Sequence, residues 1–204
     1  MPQIDSEDVA FFRTHGWWVS DLILAEESLD DLTYAAQRYA AGECDRPLVH
    51  PLLPQWSGAP ERGVRQADYL SLQFDSVMEF VRSPPLPQMA STLCDTGEVR
   101  LFHDQLIWKD PGGPEARTSV GWHTDRAYWK SCTSDQMLTA WIPLQDTTAE
   151  MGPLAVWDAS HLWPDTDNLH TFDEPDLTRL EEQARARHHK PKILVLPLLR
   201  GQVS

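Results

Sequence analysis

The chain is short of cysteine, of basic residues and of long apolar runs, and each shortage closes off a class of function. Its 204 residues include three cysteines, Cys44, Cys94 and Cys132, far apart and without a CxxC pair. That argues against a disulfide framework or a cysteine-based zinc site and fits a reducing, cytoplasmic setting. Lysine and arginine number 17 against 31 aspartates and glutamates, a formal charge of −14. A nucleic-acid or anionic-membrane partner needs a basic face, so neither is expected. The charge reads as a solvated acidic surface. No stretch approaches the roughly 20 apolar residues of a membrane span. The opening MPQIDSEDVAFF is acidic and polar, which is not the make-up of a signal peptide. Internal repeats and low-complexity tracts are lacking as well.

What is present suits one globular domain over residues 1–204, with 41% hydrophobic and 24% charged residues. The unusual abundance is tryptophan, nine in all. Large aromatic side chains usually fill cores; a pocket for an apolar substrate is the alternative.

Along the chain, helices come first. Ser6 with Glu7, Asp8 and the apolar run to His15 predicts a capped helix stopped by Gly16, with Trp17–Val19 a short strand after it. Leu29, Leu32, Ala36 and Tyr39 recur at helical spacing between Ala25 and Ala41. Asp45–Gly63, rich in Pro, Gly and Trp, reads as a loop, and Ser76–Arg82 and Pro87–Cys94 as short helices. From Gly97 the pattern turns to strands: Val99–Lys109, Ser119–Trp122, Met137–Leu144, Leu154–Trp157 and Ile193–Leu198. Asp173–Lys190 reads as a helix, acidic then basic, whose last-turn His188 and His189 suit its dipole. The plan is a helical part over 1–96 and a β part over 97–204 with a helical insertion at 164–190. Short strands on long connections favour a jelly roll, so the expected class is mainly β with flanking helices.

The chemistry concentrates in GWHTDRAYW, residues 121–129. On an extended backbone His123 and Asp125 point the same way, with Thr124 opposite. An imidazole and a carboxylate so placed are two ligands of the facial triad of non-haem Fe(II) oxygenases. A bare HxD is common by chance, and a surface or core pair is the plainer reading of the triplet alone.

Its surroundings add to it. DQLIWKDPGG (104–113) precedes the HxD, TAWIPLQDTTAEMGPL (139–154) follows, and DASH (158–161) comes next. This succession, with the N-terminal FFRTHGWWVSDLILAEESLDDL, resembles the phytanoyl-CoA dioxygenase family over nearly the whole chain. The resemblance implies a double-stranded β-helix (a cupin-like jelly roll) and an Fe(II)- and 2-oxoglutarate-dependent dioxygenase. Such an enzyme uses O2 to hydroxylate or otherwise oxidise a small organic metabolite and releases succinate and CO2. It places His123 and Asp125 on two iron ligands and Gln105 and Trp141 against the 2-oxoglutarate cosubstrate. Trp141 read from its own segment is equally an inward core aromatic. Lys109 falls on a lysine at the active-site mouth, where a solvated strand-end lysine is the other reading. His161 falls on a turn histidine that is not a ligand. Asp125, where halogenating relatives carry a small residue, favours hydroxylation or a similar oxidation.

The family's third ligand, a histidine, and its 2-oxoglutarate-gripping arginine follow a strand that Gly201-Gln202-Val203-Ser204 begins to match. The expectation is therefore a chain truncated at its C-terminus, without the closing strands and poorly active by itself. A catalytically inactive family member acting as a binding or assembly subunit is the competing reading. His103, on the Gln105 face, is left between a polar pocket-lining role and an approach to the metal, while His15, His50 and His170 read as solvated.

Overall fold

The computed structural model describes residues 4–49, 63–109, 119–129, 131–134, 136–166, 176–187 and 189–204. The first helix, α1 (Ser6–His15), starts on a reciprocal cap. The Asp5 carboxylate accepts the Glu7 and Asp8 amides, and Asp8 accepts the Asp5 amide. The cap thus sits one residue before Ser6. Gly16 ends the helix at φ 76, its N–H on Phe12 O. Helix α2 (Glu26–Ala40) follows and buries Leu29, Ala35, Ala36 and Tyr39. Strand β1 (Val64–Asp68) leads through a short turn into α3 (Asp75–Arg82) and α4 (Pro85–Leu93). Then come β2 (Gln105–Lys109), β3 (Leu154–Trp157), α5 (Leu177–Ala186) and β4 (Ile193–Leu196). No helix among the described residues is long and apolar enough to cross a membrane.

The strands form two antiparallel pairs. In β1–β2 Asp68 faces Gln105 and Val64 faces Lys109; in β3–β4 Leu154 faces Leu196 and Trp157 faces Ile193. Two apolar clusters hold these elements. One joins Ala35 and Tyr39 of α2 to Ala67, Leu70, Phe74 and Val77, with Leu106 of β2 against it. Phe74 is fully buried, and a side chain of that size contributes on the order of 2 kcal/mol when removed from water. The other joins Trp157 to Leu180 and Ala184 of α5, with Trp122 and Trp163 packed against it. The Trp157 ring lies 5.1 Å from Trp122 and 5.6 Å from Trp163. For these three tryptophans the core reading holds.

The helices match their expected places within a few residues, and β3 matches Leu154–Trp157 throughout. The expectation of a mainly β chain does not match the hydrogen-bonded ladders: five helices outweigh four short strands among the described residues. Trp17–Val19, Ser119–Trp122 and Met137–Leu144 are extended or irregular, and Val99–Lys109 shrinks to Gln105–Lys109. A strand is a property of a pair, and these segments make isolated bonds instead of ladders. Trp141 exchanges both backbone bonds with Ser204, at 2.7 and 3.1 Å, while Thr147 N–H donates to Leu198 O. Conversely β1, unremarkable as VRQAD, becomes a strand because β2 pairs with it. The expected loop at 45–63 and the insertion at 164–190 lie partly outside the described residues, as do His50, Trp56, His170 and His188.

Candidate functional site

His123 and Asp125 do come together. Thr124 between them is extended (φ −110, ψ 139), and Asp125 opens a single 3-10 turn to Ala127. The alternation read from the sequence therefore holds: both functional side chains leave one side of the backbone. The Thr124 hydroxyl leaves the other, where it is buried without a partner among the described residues. His123 Nε2 stands 3.4 Å from Asp125 Oδ1, with side chains 27% and 35% exposed.

The far atoms of both groups are engaged. His123 Nδ1 lies 2.7 Å from the Gly121 carbonyl and donates to it, which directs the Nε2 side of the ring at Asp125. The Thr139 hydroxyl donates to Asp125 Oδ2 at 2.5 Å. Burial works against the charged imidazole, but the Asp125 carboxylate and the Gly121 carbonyl outweigh it and raise its pKa. Burial likewise opposes the Asp125 charge, and hydrogen bonds from His123 and Thr139 outweigh it, keeping the carboxyl below its ordinary range.

This donor set fits a divalent cation of the Fe(II) type. Metal–nitrogen and metal–oxygen bonds of about 2.1 Å set at near right angles put their donor atoms about 3 Å apart. The observed 3.4 Å needs only a slight closing. Among the described residues no group of three or more His, Cys, Asp or Glu side chains gathers to hold a metal.

Gln105 lies at the exposed start of β2, and its Nε2 donates to Asp68 Oδ1 at 2.8 Å. His103 shares that face, as the alternation predicts, but its Nε2 sits 3.0 Å from the same Asp68 oxygen. The reading of His103 as a polar core or pocket-lining residue therefore fits better than the ligand reading; its ring also packs 5.4 Å from Trp129. Sequence reasoning missed Asp68, which becomes visible only once β1 pairs with β2. Its neighbour Tyr69, in the left-handed region at φ 58, packs edge-on against the His103 ring at 5.0 Å. A bulky residue at that φ is strained and persists because its surroundings hold it. Here the Tyr69 N–H donates to Asp104 O, and both Asp104 carboxylate oxygens take bonds from Ser71. Trp141 is half-buried and pinned by its two bonds to Ser204. Lys109 reaches the Gly152 carbonyl, so it is not a freely solvated strand end, and partial burial lowers its pKa.

A second His–carboxylate cluster joins the chain's N-terminal part to the DASH turn. Asp158 Oδ1 takes His15 Nδ1 at 2.7 Å and the Trp17 indole N–H at 3.0 Å, and Oδ2 takes Lys192 Nζ at 3.1 Å. His15 is therefore tied down rather than solvated. His161 Nε2 donates to Arg13 O at 3.0 Å, in keeping with its reading as a turn residue. His189, expected at a helix dipole, instead stacks on Trp163 at 4.2 Å and bonds Asp165 at 2.7 Å.

No curated protein matches the chain. Several solved structures do. SnoK, a non-heme alpha ketoglutarate dependent carbocyclase from nogalamycin biosynthesis, is 19% identical with a TM-score of 0.71, covering 98% of this chain and 73% of its own. The epimerase SnoN, in complex with Fe3+, alpha ketoglutarate and nogalamycin RO, is 21% identical with a TM-score of 0.70, covering 97% and 71%. EvdO2 from Micromonospora carbonacea var. aurantiaca, complexed with 2-oxoglutarate, is 21% identical with a TM-score of 0.60, covering 100% and 82%. At these identities the likeness is one of fold. The family model for phytanoyl-CoA dioxygenase (PhyH) matches residues 12–203, almost the whole chain, and the chain belongs to that family of Fe(II)- and 2-oxoglutarate-dependent oxygenases.

Proposed function

We propose that this chain acts as an Fe(II)- and 2-oxoglutarate-dependent dioxygenase on a small organic metabolite, with His123 and Asp125 as iron ligands. The observation that carries the reading is the aimed pair itself. Both donors face each other at 3.4 Å while their outer atoms are held by Gly121 and Thr139. Metal-ligating histidines characteristically donate their second ring nitrogen in this way. Of the relatives with this fold, SnoN is in complex with Fe3+, alpha ketoglutarate and nogalamycin RO, and EvdO2 is complexed with 2-oxoglutarate. On this reading residues 1–204 are one domain, and the β1–β2 and β3–β4 pairs are parts of a jelly roll.

Iron bound together with 2-oxoglutarate would supply the O2 chemistry, with succinate and CO2 as coproducts. The chain's own residues do the rest. His123 and Asp125 would hold the ion, through Nε2 and Oδ1. Gln105, its amide nitrogen fixed on Asp68, and Trp141, fixed on Ser204, flank the cosubstrate. Aromatic side chains lie close by: Trp129 packs on Phe102 at 5.3 Å, and Tyr128 lies 6.1 Å from His123.

A second reading, a binding subunit without catalysis, draws on the lack of a third metal-binding side chain beside the pair among the described residues. Anaerobic addition of Fe(II) and then 2-oxoglutarate separates the two. The oxygenase reading expects a visible metal-to-ligand charge-transfer band that Asp125→Ala abolishes. A folded wild-type chain that gives no band, when a version extended past Ser204 gives none either, supports the binding subunit instead.

A further inference from the structure

We propose that Thr139 is a positioning residue for the metal pair, its hydroxyl holding the Asp125 carboxylate as a one-oxygen ligand. The inference rests on the reading of His123 and Asp125 as ligands and adds to it a residue from a separate segment, fourteen positions along the chain.

The geometry is specific. An ionised carboxylate only accepts, so the 2.5 Å contact is the Thr139 Oγ1–H donated to Asp125 Oδ2. That occupies the oxygen turned away from the imidazole and leaves Oδ1, 3.4 Å from His123 Nε2, on the metal side. A carboxylate with both oxygens free can swing or chelate an ion with both, and chelation takes a coordination position that cosubstrate and O2 need. A hydrogen bond to the outer oxygen opposes both movements. Thr139 thereby does for Asp125 what the Gly121 carbonyl does for His123.

Thr139 is itself held in place from outside the loop that carries the pair. Two residues on, Trp141 exchanges both backbone bonds with Ser204. Val203 is fastened to Ser20 by two more, Ser20 N–H on Val203 O at 2.8 Å and Val203 N–H on Ser20 Oγ at 2.8 Å. Thr139 also borders an apolar cleft with Trp18, Met89, Leu93 and Val203. Its hydroxyl turns to Asp125, and a β-branched side chain holds such an orientation with few rotamers.

The test uses Co(II) as the probe, titrated into wild type and into Thr139→Val, Thr139→Ala and Thr139→Ser, with near-UV circular dichroism to show each chain is folded. Loss of the hydroxyl in the Val and Ala variants should weaken Co(II) binding by roughly 10-fold or more, the usual range for an outer-shell partner, and Ser should restore it to within about threefold. The Co(II) visible absorption should also weaken in the Val and Ala variants, as a second carboxylate oxygen raises the coordination number. Wild-type affinity and spectrum in folded Val and Ala variants would overturn the role of Thr139 while leaving His123 and Asp125 as ligands. Failure of the wild-type chain to bind Co(II) would overturn the ligand reading and this inference together.

Discussion

Among the histidine–carboxylate contacts of the described residues, two resemble each other in their partners and differ in what they leave open. At the DASH turn, Asp158 is 11% exposed and takes three side-chain donors, from His15, Trp17 and Lys192. In the HxD loop, Asp125 is 35% exposed, takes a 2.5 Å bond from Thr139 at one oxygen and has the His123 ring only at 3.4 Å from the other. The first carboxylate is saturated and binds segments that are 143 residues apart. The second is steered at its outer oxygen and left under-coordinated at its inner one. A saturated carboxylate is a fastening, whereas a steered and open one has capacity left for an ion.

That contrast predicts opposite phenotypes. Asp158→Asn should cost on the order of 2 kcal/mol of unfolding free energy, because hydrogen bonds to a charged group are among the stronger ones. Asp125→Asn in the metal-free chain should cost under about 0.5 kcal/mol, since the partly exposed pair carries little stability. Urea unfolding monitored by tryptophan fluorescence measures both; equal losses would erase the distinction between fastening and site.

The same clasp sets a pH dependence. The Trp17 N–H and then His15, helped by Lys192, hold the Asp158 carboxyl well below 3.8, at about 2. A carboxyl whose folded pKa is depressed adds stability above its unfolded value and loses it as pH falls toward the folded one. The stability gap between wild type and Asp158→Asn should therefore be constant at neutral pH and close between 3.8 and about 2. A gap that persists at the acid end would show that Asp158 acts through shape rather than charge.

A smaller loss than that of Asp158→Asn should come from Gly16→Ala. At φ 76 an added Cβ is strained, and it would also meet His161 Nδ1 at 2.3 Å. His161 can turn aside only by giving up its bond to Arg13 O. The expected loss is about 1 kcal/mol, a few degrees in thermal midpoint for a chain of this size. The charge-transfer band should be unchanged, since the clasp lies outside the proposed ligand pair.

The legible parts of this protein were those that depend on neighbours in sequence. The α1 and α2 helices could be read from caps and 3.6-residue spacing, and β3 from its run of Leu154, Ala155, Val156 and Trp157. The HxD geometry was legible too, because alternation needs only an extended Thr124. Segments that need a distant partner were not. Val64–Asp68 has no strand signature and became one opposite β2, whereas Met137–Leu144 has such a signature and makes isolated bonds. Asp68 stayed hidden with its strand, and so did the reason His103 turns its Nε2 to a carboxylate. His15 read as solvated because nothing near it in sequence announces Asp158.

By itself, then, the sequence determined the helices, the −14 charge that argues against polyanionic partners, and the side of the backbone from which His123 and Asp125 project. Those are matters of backbone geometry and composition, settled within a few residues. The tertiary structure alone decided which oxygen of Asp125 is tied, which nitrogen of His123 faces it, and that Asp158 is closed while Asp125 is open. Hydrogen bonds act over about 3 Å of space whatever the distance along the chain. Their partners are therefore chosen by the packing that brings Trp141 beside Ser204 and Ser20 beside Val203.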